Sequence, residues 1–124
     1  MEITIAEINE LLYHLGVTAN YTGFFHTAHA IKLCVERQDR LVQVTKLVYP
    51  EVAQEFGTNW KAVERNIRTI VGVVWKNNQA LLAEMAQRPL EKRPCTSQFL
   101  AILSSYILNQ KKNSAENGGR PESV

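Results

Sequence analysis

The sequence predicts an all-α domain, and three observations carry that prediction. Apolar residues recur at three- and four-residue intervals along most of the chain. No segment shows the strict alternation of a half-buried strand. Helix start and stop signals punctuate the pattern at regular intervals. The chain has 124 residues, enough for one domain and too few for two of ordinary size. Hydrophobic residues make up 45% and charged residues 21% of it, so a core can form without disulfides or a structural metal.

Each element has a local reason. Thr4-Ile5-Ala6-Glu7 reads as a capping box, in which the hydroxyl accepts from an early backbone N–H and the carboxylate reaches back. Ile5, Ile8, Leu12 and Leu15 follow at helical spacing, and Gly16 supplies a left-handed stop. A second helix is predicted from about Gly23 to Arg37, with Phe24, Ala28, Ile31 and Val35 on one face. A third starts near Asp39 and carries Leu41, Val44, Thr45 and Val48. Pro50 interrupts it, so the helix kinks there or restarts with Pro50 at its first position. Residues 51–56 keep helical register, and Gly57 ends the run.

Asn59 or Thr58 caps the next helix, residues 60–77. Val63, Ile67, Ile70, Val71 and Val74 form its apolar stripe. Lys61, Arg65, Arg68, Gly72 and Lys76 fall on the opposite side, with Glu64 at the border. A short helix over Ala80–Met85 comes next. Residues 88–94 read as a loop, since two prolines and four charges leave little to pack. Thr96 or Ser97 caps a last helix carrying Phe99, Leu100, Leu103, Tyr106 and Ile107. From Lys111 the composition turns to Asn, Ser, Gly, Pro and charge. Residues 1–110 are therefore expected to form the domain, and 111–124 a disordered tail.

Composition excludes several function classes. No apolar run approaches the ~18–20 residues that span a bilayer, and the N-terminus lacks the basic start and apolar stretch of a signal peptide. The expected setting is the cytoplasm, with no membrane partner. Cys34 and Cys95 lie far apart with no CxxC spacing, and Cys34 sits in a helical apolar pattern as a small hydrophobe. His26 and His29 are i, i+3 neighbours, yet no Cys, Asp or Glu flanks them at ligand spacing. No metal site, cofactor or catalytic set is predicted, because no nucleophile–base pair or Gly-rich phosphate loop can be assembled.

The net charge of +2 conceals an uneven distribution. Residues 1–56 hold four basic against seven acidic side chains, a net −3. Residues 57–76 hold four against one, a net +3, and the remainder six against four, a net +2. A basic stripe on one short segment suits a small protein that reads DNA, although a solvated helix face has the same composition.

The segment 50–65 has the parts of a helix–turn–helix. Ala53 is small where two helices cross, Gly57 can take the positive φ of a tight turn, and Val63 anchors the second helix on the first. The second helix then turns its basic face outward, as a major-groove reading helix does.

Val44-Thr45-Lys46-Leu47-Val48-Tyr49-Pro50-Glu51-Val52-Ala53-Gln54-Glu55-Phe56, with Thr58, Val63-Glu64-Arg65-Asn66-Ile67-Arg68 and Val74-Trp75 after it, carries a more specific signal. This combination resembles the DNA-binding effector domain of the stage zero sporulation protein A response regulators. Leu15-Gly16-Val17 with Gly23-Phe24 resembles the start of that domain, and Thr96-Ser97-Gln98-Phe99-Leu100-Ala101 its final helix. The similarity covers about residues 3–108.

The resemblance implies a six-helix transcription factor domain that binds a short DNA box in the major groove, often in tandem copies. It places Glu64, Arg65 and Arg68 on the reading helix. Arg65 suits the O6/N7 pair of guanine, Glu64 a cytosine amino group, and Arg68 a base edge or a phosphate. Asn59, Trp60, Lys61 and Thr69 complete the candidate DNA-binding set. The implied partners are double-stranded DNA, a second copy of the chain on tandem boxes, and RNA polymerase sigma factor through the region 78–85. Two departures stand out. The family commonly has arginine directly before Val-Glu-Arg, where this chain has Ala62. It also couples the domain to a phosphorylated receiver, for which these 124 residues leave no room. The chain is then an excised domain or a free-standing relative, and the tail favours the second. The expected function is sequence-specific transcription regulation. The alternative is a protein-interaction domain of the same fold that has lost DNA reading and modulates a full-length relative or the transcription machinery.

Overall fold

The computed structural model describes residues 3–118, and all of its regular elements are helical. They run α1 (Ile5–His14), α2 (Thr22–Glu36), a 3₁₀ helix (Gln38–Gln43), α3 (Val44–Leu47), α4 (Tyr49–Phe56), α5 (Trp60–Asn77), α6 (Gln79–Ala86) and α7 (Thr96–Gly118). Seven α-helices thus stand among the described residues, where six were expected.

The extra helix comes from the segment around Pro50. The third predicted helix divides into the 3₁₀ stretch, α3 and α4, with Val48 as the joint at φ −117°, ψ −56°. Pro50 lies in the first turn of α4, where its missing N–H has no helical partner to lose. The chain restarts there instead of kinking. Arg40 tightens the 3₁₀ stretch onto α2, donating from Nη1 to the Leu33 carbonyl oxygen at 2.8 Å.

α1 begins on the capping box its sequence predicts. The Thr4 hydroxyl accepts from the Glu7 N–H at 3.2 Å, and Glu7 Oε1 accepts from the Thr4 N–H at 2.9 Å. Ile8, Leu12 and Leu15 are buried, while Ile5 stays partly exposed. Gly16 turns the chain at φ +90°, and the joint is locked from afar: Asn78 Nδ2 donates to the Leu15 carbonyl oxygen at 2.8 Å.

α2 is the central helix, packed against α1, α4, α5 and α7. It comes close to α5 at Gly23. A Cβ there would stand 2.3 Å from the Asn66 carbonyl oxygen and 2.8 Å from Ile70 Cγ1. Only glycine lets the two backbones come that near. Around this crossing Phe24, Ile31, Tyr49, Ile67, Ile70, Leu82, Phe99 and Leu103 are fully buried.

α7 runs further than its composition suggests. It continues through Lys111 to Gly118, beyond the expected boundary near residue 110. Lys111 Nζ pairs with Glu7 Oε2 at 2.6 Å, which ties this stretch to α1, and no glycine or proline intervenes before Gly118. The expected tail beyond 118 lies outside the described residues. Among the described residues, no helix is long and apolar enough to cross a membrane.

Candidate nucleic-acid interface

α4 and α5 are joined by the three residues Gly57, Thr58 and Asn59. Gly57 ends α4 at φ +66°, ψ +39°, a left-handed conformation that glycine adopts without a Cβ penalty. The Thr58 N–H then donates back to the Ala53 carbonyl oxygen at 2.9 Å. Asn59 starts α5, its Oδ1 accepting from the Ala62 N–H at 2.9 Å. Val52 and Ala53 of α4 and Val63 of α5 are buried, so the short turn holds the two helices against one another.

The stripe Val63, Ile67, Ile70, Val71 and Val74 is wholly buried, which fixes the rotation of α5. Its other face therefore meets solvent, with Lys61, Arg65, Arg68 and Thr69 exposed on it, and Asn59 and Trp60 are exposed at the start of the helix. Lys61 Nζ lies 5.8 Å from the centre of the Trp60 ring, near the outer limit for a cation–π contact. Among the described residues, neither Lys61 nor Arg65 has an ion-pair partner.

Other members of the predicted set are engaged within the fold. The Asn59 side-chain oxygen is taken by the helix cap, and the Thr69 hydroxyl donates to the Arg65 carbonyl oxygen at 3.2 Å. Arg68 Nε donates to Glu64 Oε2 at 3.2 Å, and Arg68 Nη2 pairs with Glu64 Oε1. Glu64 is half-buried and receives a further bond from Thr96 Oγ1 at 3.2 Å. The Arg68 hydrogen bond holds its carboxyl below the usual glutamate value; partial burial opposes this, and the Arg68 charge and Thr96 add to it. Glu64 is thus ionised and accepting, with its oxygens already partnered.

Sequence reasoning missed two contributors to this face. Thr96 was expected to cap α7, yet its hydroxyl turns to Glu64. The residue before the helix is Cys95, whose N–H donates to Gln98 Oε1 at 3.2 Å. Ser97 also leaves the cap to Cys95 and shares a 3.3 Å bond with its Sγ. Arg93 is the second contributor. The loop 88–94 packs more than its composition suggests, since Pro94 is buried and Leu90 leans on the core. Arg93 reaches from it to α5 and donates from Nη2 to the Arg68 carbonyl oxygen at 2.6 Å. No local pattern announces either contact, because the partners lie 32 and 25 positions away. A shallow groove results, lined by Thr45, Glu64, Arg68, Lys92, Arg93 and Ser97 among others.

Two of the three histidines, His26 and His29, are packing groups. His26 and His29 both lie against the Phe56 ring, at centroid distances of 5.1 and 5.7 Å, and burial depresses the His26 pKa. Cys34 is buried, and Tyr49 is almost wholly so. Among the described residues, no three His, Cys, Asp or Glu side chains group as metal ligands.

A family model described as "Sporulation initiation factor Spo0A C terminal" matches residues 8–107. The match spans all of α1 but its first three residues, α2 to α6, and α7 as far as Ile107.

Proposed function

Because the chain belongs to the Spo0A C-terminal family of DNA-binding effector domains, we propose that α4 and α5 act as a helix–turn–helix that reads a short DNA box in the major groove. The observation that carries this reading is the orientation of α5. Its buried stripe leaves Lys61, Arg65 and Arg68 on one solvent face, behind a three-residue turn of suitable geometry. Arg65 is the base-reading residue of the proposal, offering a planar fork to guanine O6 and N7. Lys61 and Trp60 sit in the first turn and serve the DNA backbone. Asn59 and Thr69 border the same face. The reading extends to a cytoplasmic transcription regulator, acting as two copies on tandem boxes and meeting RNA polymerase sigma factor through the region 78–85, which follows α5 directly.

The pairing of Glu64 with Arg68 shapes how such reading works. Glu64 Oε2 is held by both Arg68 and Thr96, so accepting from a cytosine amino group requires it to share or exchange a bond. Arg65 has no such prior engagement and carries most of the discrimination. Ala62 and the mutual pairing of Glu64 with Arg68 favour one other reading, a protein-interaction domain that no longer discriminates between DNA sequences.

Enrichment of binding duplexes from a randomised pool separates the two. Sequence reading yields an enriched box containing guanine, bound with a steep salt dependence. Arg65→Ala then loses ~1–3 kcal/mol, concentrated at one base pair. Equal affinity for the enriched and scrambled duplexes sinks the claim of sequence reading.

A further inference from the structure

The polar face of α5 carries a glycine in its fourth turn, Gly72, and the space above it is filled by a side chain from another segment. A Cβ at Gly72 would stand 3.1 Å from Arg93 Nη1 and 3.3 Å from Cζ and Nη2. The guanidinium therefore lies directly on the helix backbone. One of its nitrogens, Nη2, donates to the Arg68 carbonyl oxygen at 2.6 Å. That oxygen belongs to the same residue whose side chain faces solvent beside Glu64.

Arginine offers five N–H donors in a rigid fork. Anchoring one nitrogen to a backbone carbonyl fixes the plane of the group without neutralising its charge, since a carbonyl carries none. Among the described residues, Arg93 has no carboxylate partner. It is exposed, and exposed Lys92 precedes it. A fixed cation with spare donors at the edge of a helix face is the chemistry that recognises a phosphate oxygen.

We propose that Arg93 is a DNA-backbone contact, delivered from the α6–α7 loop to the flank of α5 and pre-set by the Arg68 carbonyl. It clamps a phosphate bordering the groove that α5 enters and carries no sequence information of its own. The proposal rests on α5 as the reading helix and adds a second chain segment to the interface. Gly72 belongs to the device, because the absence of a side chain lets the guanidinium settle against the helix.

The test is a salt series of binding to a labelled mixed-sequence duplex of about 20 base pairs, for the whole chain and two variants. Arg93→Ala removes both anchor and charge. Arg93→Gln removes the charge and keeps an amide N–H for the Arg68 carbonyl. A phosphate contact makes both variants lose about 0.9 from the slope of log affinity against log salt, equally on any duplex. Their thermal melting should match the parent. If Arg93→Gln binds like the parent while Arg93→Ala does not, the side chain only positions the backbone of α5, and the proposal is overturned. Parent-like slopes in both variants overturn it as well. Failure of the parent chain to bind any duplex overturns the reading of α5 first, and Arg93 with it.

Discussion

Thr96 donates a hydrogen bond to Glu64 at 3.2 Å, joining the first residue of α7 to the polar face of α5 across 32 positions of chain. Glu64 is thereby held from two sides, by Arg68 one turn along its own helix and by a hydroxyl from a different helix. The carboxylate links the polar face of α5 to the start of α7.

This link makes stability sensitive to acid. The folded Glu64 carboxyl titrates below its ordinary value of 4.5, chiefly through its hydrogen bond with Arg68. A depressed folded value means that the stabilisation is complete above the unfolded pKa and is lost as pH falls through the folded one. Glu64→Gln should therefore resemble the parent least at neutral pH and approach it below about pH 4. Urea unfolding of both proteins across that range checks this, and the difference between them removes the contributions of Glu7 and Asp39, whose carboxyls are also lowered.

The contact at Gly23 predicts a large cost for the smallest substitution. Gly23→Ala would place a methyl group 2.3 Å from the Asn66 carbonyl oxygen, so α2 and α5 must separate. Alanine is the better helix former by roughly 0.5–1 kcal/mol, but overpacking against backbone typically costs about 1–3 kcal/mol. The net effect should be destabilising in urea unfolding. A stability equal to the parent's would mean that the crossing yields without cost.

Ala62 stands where the resembling family commonly carries arginine. The position is partly exposed, and its backbone N–H is already satisfied by Asn59, so a long side chain can be added without disturbing the cap. Ala62→Arg should strengthen binding to duplex DNA and steepen the salt slope by about one phosphate's worth, near 0.9. An unchanged slope would show that this position does not face the DNA.

The two thiols should differ sharply in reactivity. Burial pushes the Cys34 thiol up to about 11, whereas Cys95 is exposed and is lowered mainly by its hydrogen bond with Ser97. The thiolate is the reactive form. A disulfide reagent at pH 8 should modify one thiol quickly and the second only on unfolding, and Cys95→Ser should abolish the fast phase.

Much of the fold was legible because its determinants are local. The Thr4–Glu7 box, the left-handed turn at Gly57 and the Asn59 cap each involve partners within five residues, and each forms as its sequence suggests. The stripe from Val63 to Val74 was readable for the same reason, since helical period alone decides which residues share a face. What escaped depends on remote partners. The restart at Pro50 was one of the two outcomes its sequence offered, but the 3₁₀ stretch before it, tied to α2 through Arg40 and the Leu33 carbonyl, was not. The true extent of α7 includes Lys111, whose partner Glu7 is 104 positions away. Ala53 was singled out as the small residue at a crossing and is buried there, yet the close approach of α2 to α5 at Gly23, where a Cβ would stand 2.3 Å from the Asn66 carbonyl oxygen, was not. Of the candidate DNA-binding residues, the exposure of Lys61, Arg65, Arg68 and Thr69 followed from the stripe. The engagement of Glu64 with Thr96, and of Arg93 with the Arg68 carbonyl, did not.

The ion pair between Glu7 and Lys111 also fixes the far part of α7 on α1. α7 touches α5 at Thr96 and α1 at Lys111, and the fifteen helical steps between them span about 22 Å at 1.5 Å per residue. The pair thus clasps the first turn of α1 to the later part of α7, seven residues before that helix ends at Gly118. Opening the clasp by Lys111→Ala should therefore free the end of α7 from α1 while the Thr96–Glu64 bond at its other end stays in place.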